Sequence, residues 1–232
     1  MKSLISAGPT REPIDDVRFL SNRSSGKMGY ALARAFSRLG PVTLVRGAVE
    51  LPRIKGVRVI AAETAREMNK IMQSEAQNAD CIVMAAAVAD YRPAKRVRGK
   101  IHKRGSLTLK LVLNVDILSE LGRKRNRPLL IGFALEPRRG GLQSARKKLR
   151  SKKVDAMVLN YLDAMGSEKS SGCILLADGG REPFEGVSKS VLAGRIARLA
   201  SRLVARRKLL GGHSRPTHEG RQCLSIDHEE NP

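Results

Sequence analysis

Short apolar runs recur along the chain, separated by segments with helical spacing. Leu4-Ile5-Ser6-Ala7, Val42-Thr43-Leu44-Val45, Val57-Arg58-Val59-Ile60, Cys81-Ile82-Val83-Met84, Leu129-Leu130-Ile131-Gly132-Phe133 and Ala156-Met157-Val158-Leu159 read as buried strands. Their apolar character is continuous rather than alternating, which predicts a sheet covered on both faces. Between them, Met28, Ala31, Leu32, Ala35, Phe36 and Leu39 follow helical spacing, and Gly40-Pro41 supplies a stop. Thr64-Ala65-Arg66-Glu67 is a capping box opening a helix whose inner face holds Met68, Ile71 and Met72. Further helices fit 142–153 and 188 to about 203. The alternation predicts an α/β fold, a Rossmann-like open and mostly parallel sheet with helices on both faces.

Two segments break this pattern. Residues 91–105 are rich in base, poor in apolar residues and free of acid, and they lead into Leu107-Thr108-Leu109-Lys110-Leu111-Val112, whose alternation predicts a half-exposed strand. This reads as a basic flap inserted after a strand's carboxyl end, where open α/β sheets bind ligands. The stretch 211–232 has no periodicity and is expected to be a disordered tail on a domain of residues 1–210. His213, His218, Cys223 and His228 recur there every five residues, which is not same-face helical spacing, so a metal site is not expected.

Composition narrows the class. At 232 residues, 41% hydrophobic and 28% charged, the chain is globular and the size of one large domain with a tail. No run reaches the roughly 18 apolar residues of a membrane span, and the start shows no leader pattern. Three cysteines without a C-x-x-C pair point to a reducing cytoplasm, with Cys81 and Cys173 as small core residues. The formal charge of +22 calls for an anionic partner. The excess lies in the body, because Glu219, Asp227, Glu229 and Glu230 outweigh Arg215 and Arg221 after Gly211. A basic nucleic-acid-binding protein is the alternative reading. Against it stand only 3% aromatic residues, no Trp and no nucleic-acid-binding signature, so specific nucleic acid is not expected as a partner. Tyr91 and Lys95 imitate a reductase pair, but Pro93 interrupts their helical spacing.

Candidate chemistry begins at Ser21-Asn22-Arg23-Ser24-Ser25-Gly26-Lys27-Met28-Gly29, between the first strand and the first strong helix. Glycines and hydroxyls at a helix N-terminus let backbone N–H groups approach an anion. By spacing alone, a serine N-cap with a turn glycine explains the segment equally well.

The ordered set of motifs resembles one family, phosphopantothenoylcysteine synthetase. The blocks are Ala7-Gly8-Pro9-Thr10-Arg11-Glu12-Pro13-Ile14-Asp15, Val17-Arg18-Phe19, the 21–29 segment, and Ala85-Ala86-Ala87-Val88-Ala89-Asp90-Tyr91-Arg92-Pro93. Lys100-Ile101-His102-Lys103, Asn114-Val115-Asp116-Ile117-Leu118 and Ile131-Gly132-Phe133-Ala134 follow, with Lys148, Lys152, Asp155 and Asn160 completing the series. The resemblance implies a ligase that joins 4'-phosphopantothenate to L-cysteine through an acyl-cytidylate, using CTP in preference to ATP, with Mg²⁺. It also implies a homodimer and a decarboxylase on a separate polypeptide, since the flavin-dependent part fused in many relatives is not expected here.

By the same resemblance, Asn22 and Lys100 are the catalytic candidates. Asp90, Lys100, Val115, Asp116, Ile117, Leu118, Phe133, Lys148 and Lys152 are nucleotide-binding candidates; Arg18, Ser24, Ser25 and Gly26 would grip the acyl substrate; metal ligands are unassigned. Read without the resemblance, Lys148 and Lys152 belong to a solvated basic face, Asp90 caps a turn and Phe133 is core. The chain departs from the family pattern at Asp16 and Val115, where proline is usual, and at His102, where lysine is usual.

Overall fold

The structure, a computed structural model, describes residues 1–103, 105–162 and 169–210. The predicted tail, with its three histidines and Cys223, lies outside the described residues. Twelve strands are described: β1 (Ser3–Ala7), β2 (Arg11–Pro13), β3 (Phe19–Ser21), β4 (Val42–Arg46), β5 (Val57–Ala61), β6 (Cys81–Met84), β7 (Tyr91–Pro93), β8 (Leu111–Leu113), β9 (Leu129–Glu136), β10 (Ala156–Tyr161), β11 (Lys169–Leu176) and β12 (Arg181–Ser188). The helices are α1 (Lys27–Phe36), α2 (Ala65–Glu75), α3 (Ile117–Arg123), α4 (Arg138–Ser151) and α5 (Lys189–Leu210).

Eight strands form one sheet in the order β12-β11-β10-β9-β6-β1-β4-β5. The six strands read from the sequence pair in parallel, and β11 and β12 extend the sheet antiparallel. Alternate residues of each strand feed two apolar layers. Ile5, Leu44, Val83, Ile131 and Val158 pack with Leu32 and Phe36 of α1 and Leu192 and Ile196 of α5. Leu4, Val45, Ile82, Leu130 and Met157 pack with α2, α3 and α4 through Met68, Met72, Leu121 and Leu149. Burial on both sides explains why the strands read as continuous apolar runs, each large side chain contributing about 1.5–3 kcal/mol. Cys81 and Cys173 are buried, and loss of water holds the Cys81 thiol protonated well above its ordinary range.

Several expectations are corrected. β5 is an edge strand with Arg58 and Val59 exposed, so it is not covered on both faces. The strand expected at 107–112 reduces to β8, paired only with β7. The helix expected from 142 begins at Arg138, with a non-helical break at Arg139 and Gly140. The capping box at Thr64 forms, with its hydroxyl accepting from the Glu67 N–H at 3.2 Å, while the Glu67 carboxylate accepts from the N–H of Glu63. No helix of the described residues is long and apolar enough to cross a membrane.

Candidate functional site

The chain leaves β1 for β4 and β5 on one side, then returns to β6, β9 and β10 on the other. The sheet therefore has its switch point between β1 and β6, and the crevice beyond their carboxyl ends is where such sheets bind ligands. Asn22 and the segments 8–10, 85–90 and 114–116 gather there.

Residues 8–10, which follow β1, are stitched to residues 85–90, which follow β6. The Ala87 N–H donates to the Gly8 carbonyl at 2.9 Å, and the Ala89 N–H donates to the hydroxyl of the fully buried Thr10 at 3.0 Å. Gly47 lets the loop after β4 close over them: a Cβ there would lie 2.1 Å from the Pro9 carbonyl oxygen. Gly47→Ala is expected to cost about 1–3 kcal/mol, because the obstacle is backbone that cannot rotate away. Thermal denaturation should show a midpoint lower by roughly 2–4 °C for each kcal/mol lost.

Asn22 follows β3 and meets this double loop. Its Nδ2 donates to the carbonyls of Ala87 and Val88, each at 3.2 Å. The side chain anticipated as a donor to substrate is thus already donating to backbone. Gly26, with φ +71°, is the N-cap of α1 and no side chain caps the helix, so a plain serine cap is not what forms. Ser24 is half-buried, and its hydroxyl accepts from the Gly26 N–H at 3.4 Å; Ser25 is exposed.

The β2–β3 hairpin that delivers Asn22 also holds the flap. At its tip the buried Asp15 accepts from the N–H groups of Val17 and Arg18 at 2.8 and 2.7 Å, and from Ile101 at 3.1 Å. Arg18 pairs with Asp15 at 3.5 Å and donates to the Ile101 carbonyl at 3.0 Å, so its guanidinium grips the flap in this state. The neighbouring Asp16 accepts from Gly99 and pairs with Arg96, both at 2.8 Å. The Ile101 N–H holds the Asp15 carboxyl below the ordinary aspartate range, and the Arg96 guanidinium does the same for Asp16. A carboxylate with a lowered folded value stabilises the fold above its unfolded value, and that contribution is lost as pH falls through the folded one. The flap contacts are therefore charged throughout the neutral range. Lys100 is exposed between the two clamped residues.

On the other flank, Asn114 ties the nucleotide-loop candidate to the same centre. Its N–H donates to the Asp90 carbonyl at 2.7 Å and its amide to Ala89 at 2.9 Å, while Arg92 donates to its Oδ1 at 3.1 Å. The Asp90 carboxylate is exposed and has no hydrogen-bond or ion-pair partner among the described residues. Asp90 lies six residues beyond the end of β6 and directly before β7. Val115 is exposed, whereas Ile117 and Leu118 are only 2% and 8% exposed and pack in the core. Their side chains belong to the apolar layer, so the backbone and Val115 are what this segment presents at the surface. Phe133 is half-buried on β9 against the opposite apolar layer.

The lysines differ most from expectation. Lys152 pairs with Asp116 at 2.9 Å, and Lys148 pairs with Glu136 at 2.6 Å. Each cation already faces a protein carboxylate, which a nucleotide phosphate would have to replace. Asp116 also caps α3 by accepting from the Ser119 N–H at 3.0 Å. Hydrogen bonds thus run from Asn22 through residues 87–90 to Asn114, the chain continues to Asp116 with its ion pair to Lys152, and the hairpin links Asn22 to the flap that carries Lys100; among the described residues the Lys148 ammonium pairs with Glu136, outside this series. Thr10, Asp15, Asp16 and Asn114 are structural members that carried no assigned role in the sequence.

Asp155 lies elsewhere, at the amino ends of β9 and β10, the end of the sheet opposite the crevice. It accepts from the Leu130 N–H at 2.7 Å and pairs with Arg127 at 2.5 Å and Arg207 at 2.7 Å. Cavities of about 400 and 440 Å³ border it there, lined by none of Asn22, Asp90, Lys100 and Asn114. Among the described residues no cluster of three or more His, Cys, Asp or Glu is placed to hold a metal ion.

Comparison with known proteins places this arrangement. The chain is 40% identical over 211 residues to the coenzyme A biosynthesis bifunctional protein CoaBC of Mycobacterium tuberculosis, covering 84% of this chain and 50% of that protein. It is 44% identical over 167 residues to the protein of the same name from Bacillus subtilis, covering 71% and 41%. The chain thus spans about half the length of the curated relatives it matches. A crystal structure of the C-terminal domain of a CoaBC superposes with a TM-score of 0.77 at 35% identity, over 88% of this chain and 96% of that one. A DNA/pantothenate metabolism flavoprotein of Streptococcus pneumoniae shares the fold at a TM-score of 0.77 and 20% identity, over 88% and 99%. The model of the DNA/pantothenate metabolism flavoprotein C-terminal domain matches residues 1–203, and the chain belongs to that family.

Proposed function

We propose that this domain joins 4'-phosphopantothenate to L-cysteine, with CTP as the activating nucleotide. What carries the reading is the gathering of Asn22, Asp90 and Asn114 at the crevice beyond the sheet's switch point, with Lys100 on a flap clamped to the hairpin that leads to Asn22, in a chain whose relatives are named for coenzyme A biosynthesis. A carboxylate resists an amine because its charge is delocalised and its leaving group is poor. Attack of the phosphopantothenate carboxylate on the α-phosphorus of CTP expels pyrophosphate and leaves an acyl-cytidylate. The cysteine amine then attacks the acyl carbon, loses a proton and displaces CMP. Both steps need charge neutralisation and alignment more than covalent help from the protein.

Asn22 would exchange one of its carbonyl partners for an oxygen on which charge grows, without changing protonation state. Lys100, a mobile ammonium on a fixed backbone, would follow the phosphates as pyrophosphate leaves. Val115 and the Asn114–Asp116 backbone would border the base. Asp90 suits Mg²⁺, which takes one or two carboxylates and completes its shell with water and phosphate oxygens. Such an ion would neutralise charge on the triphosphate. Mixing the protein with both substrates, Mg²⁺ and either CTP or ATP, and following pyrophosphate, tests the reading and the nucleotide together.

A homodimer belongs to the same proposal. Tyr91, Leu107, Leu109, Leu111 and Leu113 are all exposed in and around the β7–β8 ribbon, Leu113 at 68%. A two-stranded ribbon is marginal alone, and a clustered apolar surface of this kind is characteristic of an interface. The double substitution Leu111→Asp/Leu113→Asp is expected to convert a dimer into a folded monomer, as read by light scattering after size exclusion. An unchanged mass would remove this surface as the interface.

A further inference from the structure

We infer that Asp16 is a positioning residue for Lys100: it latches the flap to the β2–β3 hairpin and so sets the lysine relative to Asn22. The inference rests on the ligase reading above and adds a residue to which that reading gives no role.

Lys100 is bracketed by two residues whose backbones are fixed. On one side, Gly99 is bonded to Asp16 twice, its N–H to the carboxylate at 2.8 Å and its carbonyl to the Asp16 N–H at 3.2 Å. On the other side, Ile101 is held by Asp15 and Arg18, through its N–H at 3.1 Å and its carbonyl at 3.0 Å. The second Asp16 oxygen pairs with Arg96 at 2.8 Å, and the Val97 N–H donates to the Ile14 carbonyl at 2.9 Å. Gly99 has φ +75°, a left-handed turn that other residues adopt at a cost, and it is here that the chain bends between its anchors.

The two clamps are not equivalent. Asp15 also orders the hairpin itself through Val17 and Arg18, so its loss would disturb the turn that leads to Asn22. The Asp16 side chain, half exposed, bonds only to the flap among the described residues. Removing it should free the segment before Lys100 while leaving the hairpin and the core in place. A surface ion pair contributes little to stability, so the consequence is one of alignment. Displacing a catalytic group by about 1 Å can cost as much as 10²-fold in rate.

The test compares Asp16→Ala and Asp16→Asn with the wild-type protein in two readouts. One is turnover at saturating substrates together with KM for the nucleotide; the other is amide hydrogen exchange over residues 95–103. The latch predicts that Asp16→Ala lowers kcat about tenfold with KM little changed, and speeds exchange in the flap but not in α1 or the sheet. Asp16→Asn keeps an oxygen for the Gly99 N–H and should recover part of both effects. Faster exchange with unchanged kcat would overturn the positioning role while leaving the ligase reading intact. Unchanged exchange would overturn the latch itself. Should the wild-type protein release no pyrophosphate, the ligase reading fails and takes the positioning role with it, while exchange still reports on the latch.

Discussion

Asn22→Asp is expected to lower turnover by roughly 10²–10³-fold, the loss seen when one donor to a developing oxyanion is removed. The geometry makes this change harsher than a simple deletion. Asn22 Nδ2 faces two carbonyl oxygens, of Ala87 and Val88, each 3.2 Å away. A carboxylate has no hydrogen to offer either and would place negative charge against both, and against any phosphate entering the crevice. The same two bonds are at the long end of the normal range, so an asparagine can exchange one for a substrate oxygen at little expense. Asn22→Ala, which removes the donor without adding the repulsion, should lose less activity than Asn22→Asp. Because Asn22 is exposed, neither substitution should alter the unfolding midpoint much. Steady-state pyrophosphate release beside thermal denaturation checks both halves; a variant with wild-type kcat would remove Asn22 from the chemistry.

Lys100→Ala is expected to cost roughly 10²-fold in kcat, with Lys100→Arg recovering only part. A unit charge about 4 Å from a phosphate oxygen is worth about 4 kcal/mol at the effective dielectric of a protein surface, an upper limit for what its loss can remove. Arginine keeps the charge but spreads it over a rigid planar fork, which is poorly suited to following a leaving group. The pinned backbone at Gly99 and Ile101 means that the alanine variant should retain the wild-type flap. Loss of activity would then report on the ammonium and not on a misplaced loop. Pre-steady-state measurement of pyrophosphate release isolates the adenylation-like first step; an unchanged rate there would exclude Lys100 from it.

The central strands were legible because burial on both faces writes them as unbroken apolar runs, and α1 and α2 because their inner faces keep helical spacing. β12 was not: among its eight residues only Phe184 is buried, and Pro183 and Gly186 interrupt any alternation. The turn Asp178-Gly179-Gly180 before it is the local signal for this hairpin. β2, β3, β7 and β8 are three residues each, too short for periodicity to register. Of the site, the motif blocks were visible as a resemblance, but the partners of their side chains were not. Lys152 meets Asp116 and Asp16 meets Gly99 only after folding brings distant segments together. The core positions of Ile117 and Leu118 could have been inferred, since an apolar pair behind an aspartate N-cap is a common way for a helix to enter a core.

Pyrophosphate release from the purified protein, with 4'-phosphopantothenate, L-cysteine, Mg²⁺ and either nucleotide, tests the central claim most directly. The account predicts release with CTP that depends on the acid substrate. A preference for ATP would keep the ligase and overturn the nucleotide assignment. No release with either nucleotide, from protein shown to be folded, would contradict the ligase reading of the crevice.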